Sequence, residues 1–182
     1  MLRPLILAAA ATLSLTSAAL AECPPPPDHS AELNALIAEA QIAGNEREGS
    51  RLSDAMWALW TKAPDEAAQS LLDRGMTARR YGDYLSAIDA FTRLTEYCPD
   101  YAEGYNQRAF IFFLQENFTA ALPDLDAAIA RNPRHVAALA GRALTLMGLG
   151  RDAEAQESLA EALALNPWLP ERHLRQPPGE EL

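Results

Sequence analysis

The chain has 182 residues, is 49% hydrophobic and 22% charged, and carries a formal net charge of −10. That acidity argues against nucleic acid and against anionic lipid as binding partners, and leaves proteins or peptides. Alanine is abundant while the aromatic residues make up 7%, so the composition favours helices packed closely through small side chains.

Residues 1–21, MLRPLILAAAATLSLTSAALA, carry one charge (Arg3), an apolar stretch, and small residues ending at Ala21. This is the layout of a cleaved secretory signal. The apolar core is shorter than the ~20 residues a membrane-spanning helix needs. Glu22, just before Cys23, argues against a lipoprotein signal. The expected location is the periplasm, with no membrane association after cleavage. Residues 22–29 contain Pro24–Pro27, a stiff polyproline run. Cys23 and Cys98 are the two cysteines. In an oxidising compartment an even pair reads first as a disulfide, with two unrelated thiols as the alternative.

Residues 30–66 hold two helix-like runs, SAELNALIAEAQIAG and SRLSDAMWALWTKAPD, with Gly44 and Gly49 flanking the turn between them. Ser30, and Ser50 or Ser53, are the expected N-caps.

From residue 68 the sequence repeats every thirty-four residues, and 68–101, 102–135 and 136–169 align without a gap. The eighth column is small (Gly75, Ala109, Ala143) and the twentieth is alanine (Ala87, Ala121, Ala155). The twenty-fourth is bulky and apolar (Phe91, Leu125, Leu159), and the thirty-second is proline (Pro99, Pro133, Pro167). Each unit is expected to hold two antiparallel helices: 68–81 with 84–97, 102–115 with 118–131, and 136–149 with 152–165. Small columns let the two helices approach, the bulky column fills the space between them, and proline ends the second helix. Gly82 and Gly150 occupy the turn column, where the middle unit has Glu116 instead. Pro123 falls inside a helix and is expected to kink it.

These columns resemble the tetratricopeptide repeat family over all of residues 68–169. The resemblance implies an all-α, right-handed superhelical array of antiparallel helix pairs. Ala40, Met56 and Leu59 are spaced like the eighth, twenty-fourth and twenty-seventh columns, so residues 30–66 read as a degenerate fourth pair. Trp57 and Trp60 would anchor it against the first full unit; an unrelated helical hairpin is the alternative. At the other end Leu163 and Leu165 lie on a face that would normally meet another helix. That face is either imperfectly capped, with Trp168 and Leu169 folded over it, or a surface for homodimerising or docking. The tail, 170–182, is expected to be disordered from Gln176 onward.

In such arrays the first helices line a concave groove. By resemblance its residues are Gln69, Leu72, Met76, Arg79 and Arg80 in the first unit, and Glu103, Asn106, Phe110, Phe113 and Leu114 in the second. The third unit contributes Ala137, Ala140, Leu144, Met147 and Gly148. An apolar wall with arginines at one end suits peptide capture, unless the N-terminal pair itself fills the space. Family members that clamp a C-terminal carboxylate use basic residues and asparagine across three first helices. The matching positions here carry Leu72, Met76, Gln107, Ala137 and Gly141, so that clamp is absent. The array geometry would also place Cys23 and Cys98 on one edge, with the polyproline run lying along it between Cys23 and the first helix.

His29, His135 and His173 are scattered, and there is no phosphate loop, nucleophile elbow or Cys-x-x-Cys. No cofactor or metal is suggested. The reading is a non-enzymatic periplasmic scaffold with a protein or peptide partner. Its rivals are a structural subunit that self-associates or docks through its C-terminal face, and a thiol-based redox component.

Overall fold

A computed structural model describes residues 22–176; the signal-like segment 1–21 and residues 177–182 lie outside the described residues. Within them run α1 (Ser30–Ile42), α2 (Glu46–Trp60), α3 (Glu66–Arg80), α4 (Tyr84–Tyr97), α5 (Ala102–Leu114), α6 (Phe118–Arg131), α7 (Val136–Gly148) and α8 (Asp152–Leu165). A short 3-10 helix, Pro170–Leu174, follows. No helix among the described residues is long and apolar enough to cross a membrane.

The helices from α3 onward start and stop where the repeat places them, to within two residues. Asp65, Asp83, Asn117 and His135 cap α3, α4, α6 and α7 by accepting a backbone N–H from the first turn. Gly82 and Gly150 adopt φ +75° and +70°, which explains glycine in the turn column. Glu116 is forced into the same left-handed turn at φ +57°. The bulky column is buried in each unit, at Phe91, Leu125 and Leu159. A Cβ on Gly75 would lie 2.4 Å from the Phe91 ring, so only glycine lets α3 sit this close to α4. α3–α4, α5–α6 and α7–α8 stack in that order, giving the all-α solenoid. α6 runs through Pro123, which is exposed on its surface.

The N-terminal hairpin departs from expectation. α1–α2 does not stack on α3 as a fourth unit. It travels along the edge where second helices end and first helices begin, docking on all three units. Cys23 is joined to Cys98, with Cα atoms 5.2 Å apart, and the polyproline run leads from there to α1. Asn34 meets Arg134, and Gln41 donates to the Ala164 carbonyl at 2.8 Å. The chain then turns, and α2 runs back toward α3. The Ser53 hydroxyl accepts from Asn166 at 2.8 Å, Trp60 stacks on His135 at 4.2 Å, and the Tyr101 hydroxyl donates to the Trp60 carbonyl at 2.6 Å.

The physical reason lies in the apolar face of the hairpin. Ile37, Ala40, Leu52 and Met56 are fully buried, in one cluster with Val136, Leu139, Ala140, Ala162 and Leu169. Each large side chain there contributes about 2 kcal/mol. Of the two anchors expected against the first unit, Trp60 joins this cluster and stacks on His135, keeping only a backbone link to Tyr101 of the first unit, and Trp57 is left 40% exposed. Leu163 and Leu165 are half-buried against the same cluster, which includes Leu169, so of the two readings of the C-terminal face the capped one fits, with the hairpin as the main part of the cap. Trp168 packs over Gly49, where a Cβ would lie 2.2 Å from it, and Arg172 pairs with Glu46 at 3.0 Å. The N-cap of α2 is Asn45; Ser50 and Ser53 lie inside the helix, and Ser30 is the first residue of α1, with His29 at the N-cap position making no side-chain cap.

Candidate functional site

α2 covers the concave side only in part. Between it and the first helices α5 and α7 lies a half-open cleft of ≈ 320 Å³. Trp57 of α2 forms one wall, Phe110 and Phe113 of α5 a second, and Ala140 and Leu144 of α7 a third. Arg79 of α3 and Glu171 of the C-terminal segment stand at its margins. Trp57 is 40% and Phe110 42% exposed, a large aromatic area left to solvent. These side chains are placed by helix periodicity: Asn106, Phe110 and Phe113 recur at four- and three-residue steps and share one face of α5.

Beneath the cleft is a buried polar network. Glu103 is 1% exposed and accepts from His135 Nε2 at 2.9 Å, Asn106 Nδ2 at 3.0 Å and Gln107 Nε2 at 2.6 Å. Nδ1 of His135 takes the Ala138 N–H that caps α7, so the ring proton sits on Nε2 and points at the carboxylate. Gln107 in turn accepts from Arg79 Nη1 at 2.7 Å, and Arg79 lies over the Phe110 ring at 5.1 Å. Burial pulls the Arg79 pKa down from its ordinary value, opposed by the Glu103 carboxylate. Burial likewise pushes the Tyr101 hydroxyl far above its usual range, helped by the negative charges of Glu103 and Asp73. The network satisfies a buried acid and fixes α5 against α7 and α2, and it meets the cleft through Arg79, Asn106 and Gln107.

The residues expected to line a groove divide accordingly. Arg79, Asn106, Phe110, Phe113, Ala137, Ala140 and Leu144 line the cleft. Leu72 does not: it is fully buried with Phe91 and Tyr101 in the core of the first unit, and Met76 packs half-buried at that core's margin. Gln69 is turned to the Ala63 N–H and to Asp73. Glu103 is the sealed centre of the network rather than a lining residue. Arg80, Leu114, Met147 and Gly148 lie outside the cleft lining. Trp57, Gln107, Thr145 and Leu169 line it without having been foreseen as groove residues; the Trp57 wall exists because α2 docks there. A second depression of ≈ 430 Å³ lies under the polyproline run. Tyr101, Glu103 and His135 at its floor are already paired, which makes it a seam of the fold. Both cysteines are in the disulfide, and Cys98 is 1% exposed.

Residues 112–171 match the family model described as tetratricopeptide repeat. The first tetratricopeptide domain of Spaghetti (RPAP3), solved with the HSP90 peptide SRMEEVD, is 26% identical and superposes with a TM-score of 0.58. That likeness covers 60% of this chain and 89% of that one. Over residues 112–171 the chain is thus similar in sequence to tetratricopeptide repeats, and its fold is that of a tetratricopeptide-repeat solenoid. The second such domain of human RPAP3, solved with the HSP70 peptide SGPTIEEVD, is 26% identical with a TM-score of 0.57, over 59% of this chain and 90% of that one. A tetratricopeptide-repeat protein of Rhizobium etli is 34% identical over 67 residues, 37% of this chain and 33% of that protein. The chain spans about a third of the length of the curated relatives it matches. In this chain Leu72 is sealed in the core and Gln107 is engaged with Glu103 and Arg79, while Ala137 and Gly141 offer no charge.

Proposed function

We propose that the chain is a non-enzymatic interaction scaffold of the periplasm that holds a segment of a protein or peptide in the cleft between α2, α5 and α7. The observation that carries this is the cleft itself, whose exposed Trp57 and Phe110 face each other's helices with no covering element among the described residues. Aromatic walls with one cationic margin suit a peptide side chain. The peptide-bound domains of similar fold support a peptide as the class of ligand. They do not transfer the tail they bind, because the charged clamp positions differ. The disulfide supports an oxidising compartment. Residues of the redox reading are bonded to each other, and the face of the docking reading is covered, so the groove reading is preferred.

The test is crosslinking capture from extracts of the source compartment, with a photoreactive residue at Leu144, which lines the same cleft. A discrete partner held by the wild-type protein and lost with Phe110→Glu/Phe113→Glu is expected. A partner retained by that double variant would move the working surface elsewhere.

A further inference from the structure

We propose that the strap of residues 23–29 is itself a ligand: a protein module with an aromatic-lined groove and a basic rim docks on its outward prolines. This surface lies on the edge of the array and is independent of the cleft between α2, α5 and α7.

The burial of the strap has a period of three. Cys23, Pro26 and His29 are half-buried, while Glu22, Pro24, Pro25, Pro27, Asp28 and Ser30 are exposed. Three residues per turn is the period of the polyproline II helix. One face of the strap therefore rests on the protein and two face solvent. Pro24 and Pro27 share one of these, about 9 Å apart at the rise of such a helix. Glu22, Pro25 and Asp28 share the other. Depressions of ≈ 640 Å³ and ≈ 430 Å³ border its two halves, so the ridge stands clear rather than embedded.

Both ends are held. The disulfide fixes Cys23 to Cys98, and the Asp28 carboxylate accepts the N–H of Ser30 at 3.0 Å where α1 begins. The ordering cost of the ridge thus falls on folding and not on binding. Prolines have no N–H, so the run cannot join a sheet as an added strand. Among the described residues no backbone N–H pairs with the carbonyls of Pro25, Pro26 or Pro27. The ridge offers proline rings and open acceptors, which a groove of tryptophan and tyrosine side chains matches. The rim follows from charge. Glu22, Asp28, Glu96 and Asp100 are exposed along the strap. Of the nearby cations Lys62 is exposed, while Arg131 already holds the Pro99 carbonyl and the Tyr105 hydroxyl. Lysine or arginine at the edge of a partner's groove complements that negative surplus.

The probes are purified WW, SH3 and EVH1 domains, chosen in two sets with basic and with acidic groove rims. Titration calorimetry on the oxidised protein is expected to show binding by a basic-rimmed member and at least about tenfold weaker binding by the acidic set. Pro24→Ala/Pro27→Ala should weaken that binding about tenfold with unchanged melting. Asp28→Asn/Asp100→Asn should weaken it about threefold, and less at high salt. Phe110→Glu/Phe113→Glu should leave it unchanged, which keeps strap and cleft apart. A free peptide of residues 22–29 carrying Cys23→Ser should bind about tenfold more weakly than the folded protein. Binding by neither set, binding that survives the proline substitutions, or binding lost in the Phe110/Phe113 variant with unchanged melting overturns the proposal. A free peptide that binds as tightly as the protein overturns the part assigned to the staple.

Discussion

The two ends of the array are treated differently. At the C-terminal end α8 is covered: Leu163 and Leu165 lie half-buried under α1, and Trp168 and Arg172 clasp α2 through Gly49 and Glu46. At the first unit α3 packs on α4 and α5, and Tyr81 and Leu85 beside its turn are 81% and 79% exposed. The units themselves are near copies, so the contrast comes from where the non-repeating hairpin goes. A repeat dictates how units stack on each other; which end is sealed depends on a segment outside the repeat.

The contrast can be broken hardest at the staple. Replacing Cys23 and Cys98 with serine should lower stability by about 4 kcal/mol, since the closed loop spans 75 residues of sequence, and should release the hairpin first. Hydrogen exchange would show α1 and α2 losing protection before α7; equal loss everywhere would mean that the hairpin is not held by the staple. Glu103→Ala comes next, at about 3 kcal/mol, because His135, Asn106 and Gln107 lose their shared acceptor in the interior. Urea midpoints measure it, and a loss below about 1 kcal/mol would show that the network relaxes onto water. Gly49→Ala drives a methyl into Trp168 and should cost about 2 kcal/mol, read as unquenched or shifted tryptophan emission together with a lower melting point. In the opposite direction Glu116→Gly should stabilise by about 1 kcal/mol, because only this turn carries a side chain at positive φ. The smallest effect belongs to the bare end: Leu85→Ser should change the urea midpoint by less than about 0.5 kcal/mol. A large loss there would mean that the first unit is covered in solution.

The sequence made the units legible because their requirements recur: small residues where helices touch and proline where a helix stops in all three units, and glycine where φ is positive in two of them. It made the hairpin legible as two helices but not its destination. Ala40 and Met56 are buried, as the spacing suggested, yet a buried face with repeat-like spacing fits the outer side of α3 and the exposed side of α7–α8 equally well. The tie is broken by features with no periodicity, among them Gly49 for Trp168, Ser53 for Asn166 and His135 for Trp60. The candidate site inherits that ambiguity. Phe110, Phe113 and Leu144 could be placed from the first-helix columns, whereas Trp57 could not be placed opposite them until α2 was. Glu103 was read as a groove residue from its column; burial depends on neighbours from α7, which no column of its own helix records.

The hairpin also changes how this molecule must come into being. Solenoids ordinarily fold from neighbour to neighbour, and any two adjacent units can form before the rest exist. Here Gln41 waits for Ala164, and Glu46 for Arg172, partners more than a hundred residues later in the chain. The hairpin is synthesised before these partners and can dock only after them, with Ile37, Leu52 and Met56 uncovered in the meantime. Linking the hairpin to residues 164–172 turns a string of local units into one closed circuit. Such a circuit should fold slowly for a helical protein of this size and unfold in a single cooperative step.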